Sequence, residues 1–221
     1  AAYLANYANL QKELKLPPYA YQSKTAQEML DGVIGMSNVK NTMAEFKKYA
    51  IFLKRAREQG IAVPDSTMHM LFTGNPGTGK TMVARIVGQL LYELGIMEDN
   101  KVVEVEPRQL ISAYGGESAQ KTAAYVNQAM GGVLFIDEAY ALTASSGSND
   151  FGMEAVNTLL KEMEDHRDDL IVIVAGYPKE MEQFLDSNSG LRSRFRQIIF
   201  FADYTPEELL HIFEGICQTY A

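Results

Sequence analysis

Gly74-Asn75-Pro76-Gly77-Thr78-Gly79-Lys80-Thr81 places three glycines, an ammonium and two hydroxyls within eight residues, in the spacing G-x-x-x-x-G-K-T. Glycines let successive N–H groups turn inward around a phosphate, and a helix starting near Lys80 would add the positive end of its dipole. In that arrangement the Lys80 ammonium reaches the β- and γ-phosphates and the Thr81 hydroxyl ligates Mg²⁺. The alternative is a plain glycine-rich turn with an exposed lysine. The flanks speak against it, because an apolar run (Met68–Phe72) precedes the loop and an amphipathic stretch follows it. The candidate nucleotide cradle is therefore Asn75, Pro76, Gly77, Thr78, Gly79, Lys80, Thr81 and Met82.

A second chemical signal is Gly132-Val133-Leu134-Phe135-Ile136-Asp137-Glu138, an apolar strand ending in two carboxylates. Asp137 is placed to hold Mg²⁺, mostly through water, and Glu138 to polarise an attacking water as general base. Such a pair can also merely cap a loop or meet surface lysines. A phosphate-binding loop in the same chain shifts the balance towards chemistry.

Both motifs need a frame. Apolar runs at Met68–Phe72, Lys101–Val105, Gly132–Ile136, Leu170–Ala175 and Gln197–Phe201 read as strands. Between them lie helical stretches: one from Ser37 to the stop at Gly60, one from Met82 to Leu94 with Gly95 at its end, then Ser118–Met130, Phe151–Glu164 and Lys179–Leu185. Continuous rather than alternating apolar runs imply strands buried on both faces, which predicts an α/β fold: a parallel five-stranded sheet in a three-layer α/β/α sandwich. Thr205-Pro206-Glu207-Glu208 is a capping box that starts a further helix. Leu4, Tyr7, Leu10 and Leu14 suggest a short helix ahead of Pro17-Pro18, and Ala144–Asn149 a mobile loop.

The chain has 221 residues, 47% of them hydrophobic and 22% charged, with a net charge of −8. It can bury a sizeable core, and it lacks the basic excess of a duplex-binding domain. One cysteine excludes an internal disulfide, and with only three histidines a Cys/His zinc site is not expected. No apolar run approaches the ~20 residues of a membrane-spanning helix. Ala1–Leu16 does not read as a signal peptide. A soluble, cytoplasmic protein of a reducing compartment is the expectation.

Together GNPGTGKT, GGVLFIDEAY (131–140), AGYP (175–178) and GLRSRF (190–195) resemble the AAA+ ATPase family. Within it they resemble the CbxX/CfqX clade, which includes red-type Rubisco activase, the stage V sporulation protein K family and the type VII secretion ATPase EccA. The resemblance spans about Met29 to Leu210. It implies that Val33, Ile34 and Gly35 pack the adenine, where the bare sequence shows only a turn before a helix. Arg194, with Arg192 beside it, falls at the arginine-finger position, which reaches the neighbouring subunit's γ-phosphate; otherwise the two are surface cations. Tyr114, Gly115 and Gly116 fall where related remodellers carry an aromatic pore loop, though Tyr114 by itself also suits packing. Loop 141–150 would be the second pore loop. One departure stands out: many family members end the fourth strand on Asn or another small polar residue, whereas here Val174-Ala175-Gly176 leads into Tyr177.

The resemblance implies ATP or ADP with Mg²⁺ as cofactors, a ring-shaped homo-oligomer (a hexamer), and a protein partner to be remodelled. Residues 1–27 read as an extension or linker, 28–204 as the nucleotide-binding α/β domain, and 205–221 as the start of a helical lid. A P-loop kinase or GTPase is disfavoured by the Asp-Glu pair and the lack of a guanine-reading N-K-x-D. A DNA-acting module and a nucleotide-gated scaffold with little turnover stand as alternatives.

Overall fold

Three of the five apolar runs are buried along their whole length and form the centre of the sheet. The computed structural model describes residues 24–63, 67–114, 116–144 and 151–219. The expected tail helix, Gly115 and loop residues 145–150 lie outside these. The strands are β1 (Met70–Gly74), β2 (Val102–Val105), β3 (Val133–Ile136), β4 (Ile171–Gly176) and β5 (Gln197–Phe201). They pair in the order β2-β3-β4-β1-β5, all parallel. The helices are α1 (Ala26–Asp31), α2 (Ser37–Glu58), α3 (Lys80–Glu93), α4 (Pro107–Leu110), α5 (Glu117–Ala129), α6 (Phe151–Asp165), α7 (Pro178–Asp186), α8 (Ser189–Arg194) and α9 (Pro206–Thr219), with a 3-10 turn at Ala139–Leu142.

Strand side chains alternate between two apolar layers. Met70 and Phe72 of β1, Val133 and Phe135 of β3, and Ile171 and Ile173 of β4 pack with Val39, Met43 and Phe46 of α2 and Val83, Ile86 and Val87 of α3. Leu71, Leu134, Ile136, Val172 and Val174 face the other way, onto Val126 of α5, Leu159 of α6 and Phe184 of α7. The result is the expected three-layer sandwich, with every strand's C-terminal end on one edge. In open α/β sheets that edge is where ligands bind.

Burial on both faces holds for β1, β3 and β4 but not for the edge strands. In β5 Ile199 and Phe201 are buried while Ile198 and Phe200 are more than half exposed. Three residues of β2 are only partly covered or exposed. An edge strand has a neighbour on one side only, so an apolar run there does not ensure two covered faces. β1 also runs later than its hydrophobicity suggests, because Thr73 pairs with Gly176 and Phe200, and Gly74 with Phe201. Met68 and His69 precede the strand.

Side-chain caps set the helix starts at both ends of the described chain. Thr25 and Glu28 make a reciprocal capping box at α1, and Ala26 N–H donates to the Glu93 carboxylate of α3 at 2.8 Å. The packed unit therefore begins ahead of residue 28. At α9 the expected box is present: Glu208 N–H donates to Thr205 Oγ1 at 3.2 Å, and Thr205 N–H to the Glu208 carboxylate at 2.8 Å. The short helices α4 and α8 have no counterpart in the apolar pattern, since four and six residues are too few to show a helical period.

Candidate nucleotide site at the carboxyl edge of the sheet

The glycine-rich loop joins the end of β1 to the start of α3. Gly77 and Gly79 have φ of 76° and 87°, values that favour glycine. At Gly79 space matters as well, since a Cβ there would lie 2.5 Å from Met36 Cε and 3.3 Å from the Tyr204 hydroxyl. Thr78 Oγ1 donates to Asn75 C=O at 2.8 Å. Asn75 Nδ2 donates to both carboxylate oxygens of Asp203 at 2.9 Å, tying the loop to the segment after β5.

Lys80 is buried. Its ammonium donates to Gly74 C=O at 2.9 Å and Asn75 C=O at 2.8 Å. Burial lowers its pKa, while the carboxylates of Asp137 and Glu138 oppose that shift. The cation is thus stored against loop carbonyls, within the field of the two acids. Met82, in the first turn of α3, is exposed.

Asp137 follows β3 directly. Its N–H donates to Val105 C=O of β2 at 3.2 Å, and its Oδ1 accepts from Glu138 N–H at 3.0 Å. Glu138 is exposed, with φ of 51°. A non-glycine residue in the left-handed region costs roughly 1–3 kcal/mol, and such strain clusters at functional sites. Thr81 and Asp137 line a common cavity of about 170 Å³ with Glu104, Glu106 and Gln109. A hydroxyl and carboxylates around one cavity suit a hard cation such as Mg²⁺, which takes few protein ligands and keeps waters or phosphate oxygens. Among the described residues no group of three or more His, Cys, Asp or Glu side chains forms a ready-made cage.

Val33 is buried and its carbonyl accepts from the Lys40 ammonium at 2.6 Å. Ile34 and Gly35 are partly covered. Gly35, with φ of 67°, lies against the Glu208 carboxylate of α9, where a Cβ would collide with it. Because Met36 also touches Gly79, the 33–36 turn abuts the loop. Tyr177 is at the same edge, as the residue preceding α7. Its ring meets that of Tyr140 at 5.9 Å and 43°. Burial, with Glu138 next in effect, raises the Tyr140 pKa.

Other candidates lie elsewhere. Tyr114 is 71% exposed, and Gly116, with φ of 81°, precedes α5. Arg192 and Arg194 end α8, just before β5, and so lie at the opposite edge of the sheet. Arg192 is held by Glu182 at 2.8 Å and Asp186 at 2.6 Å. Arg194 reaches Glu164 at 3.1 Å and Gly190 C=O at 3.3 Å. It lines a cavity of about 490 Å³ with Thr67 and His69, which immediately precede β1.

Sequence reasoning missed Asp203, Tyr204, Tyr140, Glu104, Glu106 and Gln109. Tyr140 had a signal, since it follows the acidic pair by two residues. Asp203 and Tyr204 had none, because their closeness to residues 75–79 arises from β5 pairing with β1.

A glycine-rich loop between the first central strand and its helix, at the carboxyl edge of a parallel five-stranded sheet, defines a P-loop α/β protein. The family model described as "ATPase family associated with various cellular activities (AAA)" matches residues 70–203, and the chain belongs to that family. It is 47% identical over 189 residues to the ESX-1 secretion system protein EccA1 of Mycobacterium tuberculosis, covering 85% of this chain and 33% of that protein. It is 42% identical over 189 residues to the stage V sporulation protein K of Bacillus subtilis, covering 86% of this chain and 58% of that one. The chain thus spans about a third to three-fifths of these relatives. The FIGL-1 AAA domain in complex with ADP superposes with a TM-score of 0.59 at 23% identity, over 83% of this chain and 59% of that chain, a likeness of fold. Among the described residues no helix is long and apolar enough to cross a membrane.

Proposed function

We propose that this chain is an ATPase module that binds ATP with Mg²⁺ on the 74–82 loop, hydrolyses it, and in a ring of six copies uses the cycle to remodel a protein partner. The observation that carries the reading is the meeting of Lys80, Thr81, Asp137 and Glu138 at one edge of the sheet. Phosphoryl transfer to water needs positioning and charge neutralisation rather than a covalent intermediate, and this set supplies both.

In this reading nucleotide phosphates take the place of the Gly74 and Asn75 carbonyls as acceptors for the Lys80 ammonium. Loop N–H groups face the phosphate, and residues 33–35 flank the base. Thr81 and Asp137 would hold Mg²⁺, which when bound neutralises charge on the phosphate oxygens. Glu138, free of any ion pair among the described residues, accepts the proton of the attacking water. Tyr177 occupies the fourth-strand terminus, where its phenol orients that water or its Tyr140 neighbour. Arg194 serves a neighbouring copy's γ-phosphate. Tyr114, projecting from a loop flanked by small residues, grips the partner polypeptide, and α9 opens the lid. Secretion and sporulation appear in the names of the relatives, and remodelling in one such setting is the reading they support.

Two variants of the full-length protein test the core of this reading. Glu138→Gln keeps ATP binding and lowers turnover by about 10²–10⁴-fold, the usual worth of general-base catalysis. Lys80→Ala loses ATP affinity, since each charge-assisted contact contributes ~1.5–3 kcal/mol. Unchanged ATP affinity in Lys80→Ala, or wild-type turnover in Glu138→Gln, would overturn the assignment.

A further inference from the structure

Two arginines end the same short helix and are held quite differently. Arg192 sits between two carboxylates at 2.6 and 2.8 Å, which raise its pKa further. Arg194 has one ion pair at 3.1 Å, to Glu164 of α6, and one long hydrogen bond at 3.3 Å, to Gly190 C=O. Its Nε is buried with no hydrogen-bond partner among the described residues. A buried guanidinium N–H left unpaired is costly, so this pose is a compromise. The cavity of about 490 Å³ beside it gives the side chain room to leave.

Leaving would not strand Glu164. Arg167 lies 3.7 Å from the other oxygen of the same carboxylate, and Glu164 is itself 58% exposed. Nor can Arg194 swing to its own chain's loop. The two stand at opposite ends of β1, whose five residues span ~16 Å.

We propose that Glu164 is a positioning residue that parks Arg194: it neutralises the guanidinium until a γ-phosphate on an adjacent copy competes for it, and Arg167 takes over the carboxylate when Arg194 departs. This rests on the reading of Arg194 as a finger acting between copies. Arg192, clamped by two acids, is the brace that fixes the end of α8 and does not move.

Substitutions at the two exposed neighbours of Arg194 should have effects of opposite sign, which a structural role would not produce. In the full-length protein, Glu164→Gln frees the finger and raises turnover by up to about fivefold, the range of one exposed ion pair. The gain shrinks as salt rises, because the lost pair is screened. Arg167→Gln removes the competing cation, tightens the Arg194–Glu164 pair and lowers turnover by a smaller factor. ATP affinity and melting temperature, measured alongside, stay at wild-type values in both. Equal or lower turnover in Glu164→Gln, or a rise in Arg167→Gln, overturns the parking role. Arg194→Ala is assayed in parallel: if it turns over at the wild-type rate, the finger reading falls and the parking role with it. If it is inactive while Glu164→Gln matches wild type, only the parking role falls.

Discussion

The two edges of the sheet are built in opposite ways. The carboxyl edge draws its chemistry from two short stretches, 74–82 and 137–138, where neighbours in sequence are neighbours in space. The amino edge gathers Arg57, Thr67, His69, Glu164, Arg167, Arg194 and Arg196 around one cavity from four separate segments. In the proposed nucleotide-binding mode the first edge works through its backbone, which requires glycines and a helix start. At the second, long side chains pair across elements, as in Arg57–Asp168 at 2.8 Å. The first kind of site is written into a motif. The second exists only after the fold has formed, and its weakly held Arg194 suits a group that must move.

The largest effect should come from breaking the second edge. Arg194→Ala is expected to lower turnover of the assembled protein by about 10³–10⁵-fold, the worth of an arginine finger, while ATP binding to a single subunit is retained. A steady-state phosphate-release assay, with nucleotide titration as its control, measures this. A parallel loss of binding would move Arg194 into a structural role.

A smaller effect separates the edges by pH. His69, buried before β1, accepts from Val172 N–H through Nδ1 at 3.0 Å. Burial, reinforced by Arg194, lowers its pKa from 6.5 to about 4. The folded state therefore binds fewer protons than the unfolded one between pH 6.5 and 4. Stability should be full above pH 6.5 and fall through that window, by ~3 kcal/mol in all at ~1.4 kcal/mol per pKa unit. Denaturant unfolding at pH 7 and pH 4.5 checks it, and His69→Gln should flatten the dependence. A wild-type acid limb in that variant would place the linkage elsewhere.

The smallest effect concerns Tyr114. Being 71% exposed, it should contribute little to packing, and Tyr114→Ala should shift unfolding free energy by less than ~0.5 kcal/mol. A much larger loss would mean the tyrosine is structural and would weaken its reading as a grip on polypeptide.

The carboxyl edge was legible because its demands are local. Gly79 must be glycine both for its φ and for Met36, and only the first reason is visible in sequence. Parallel packing was legible from unbroken runs such as Ile171–Ala175. The same logic failed at Ile198 and Phe200, since hydropathy does not say which strand lies at an edge. Asp203, Glu164 and His69 were invisible because their partners, Asn75, Arg194 and Val172, lie 128, 30 and 103 residues away. The different partners of Arg192 and Arg194 were equally invisible, since they too come from other elements.

In the proposed ring, one copy's carboxyl edge works with another copy's amino edge. The direct measurement mixes two inactive full-length variants, Arg194→Ala and Glu138→Gln, and follows phosphate release as their ratio varies. At some mixed interfaces an intact Glu138 site meets an intact Arg194, so activity should return and peak at intermediate ratios. If the mixture stays as inactive as its components although the two are shown to co-assemble, Arg194 does not act between copies and the two edges do not form a shared site.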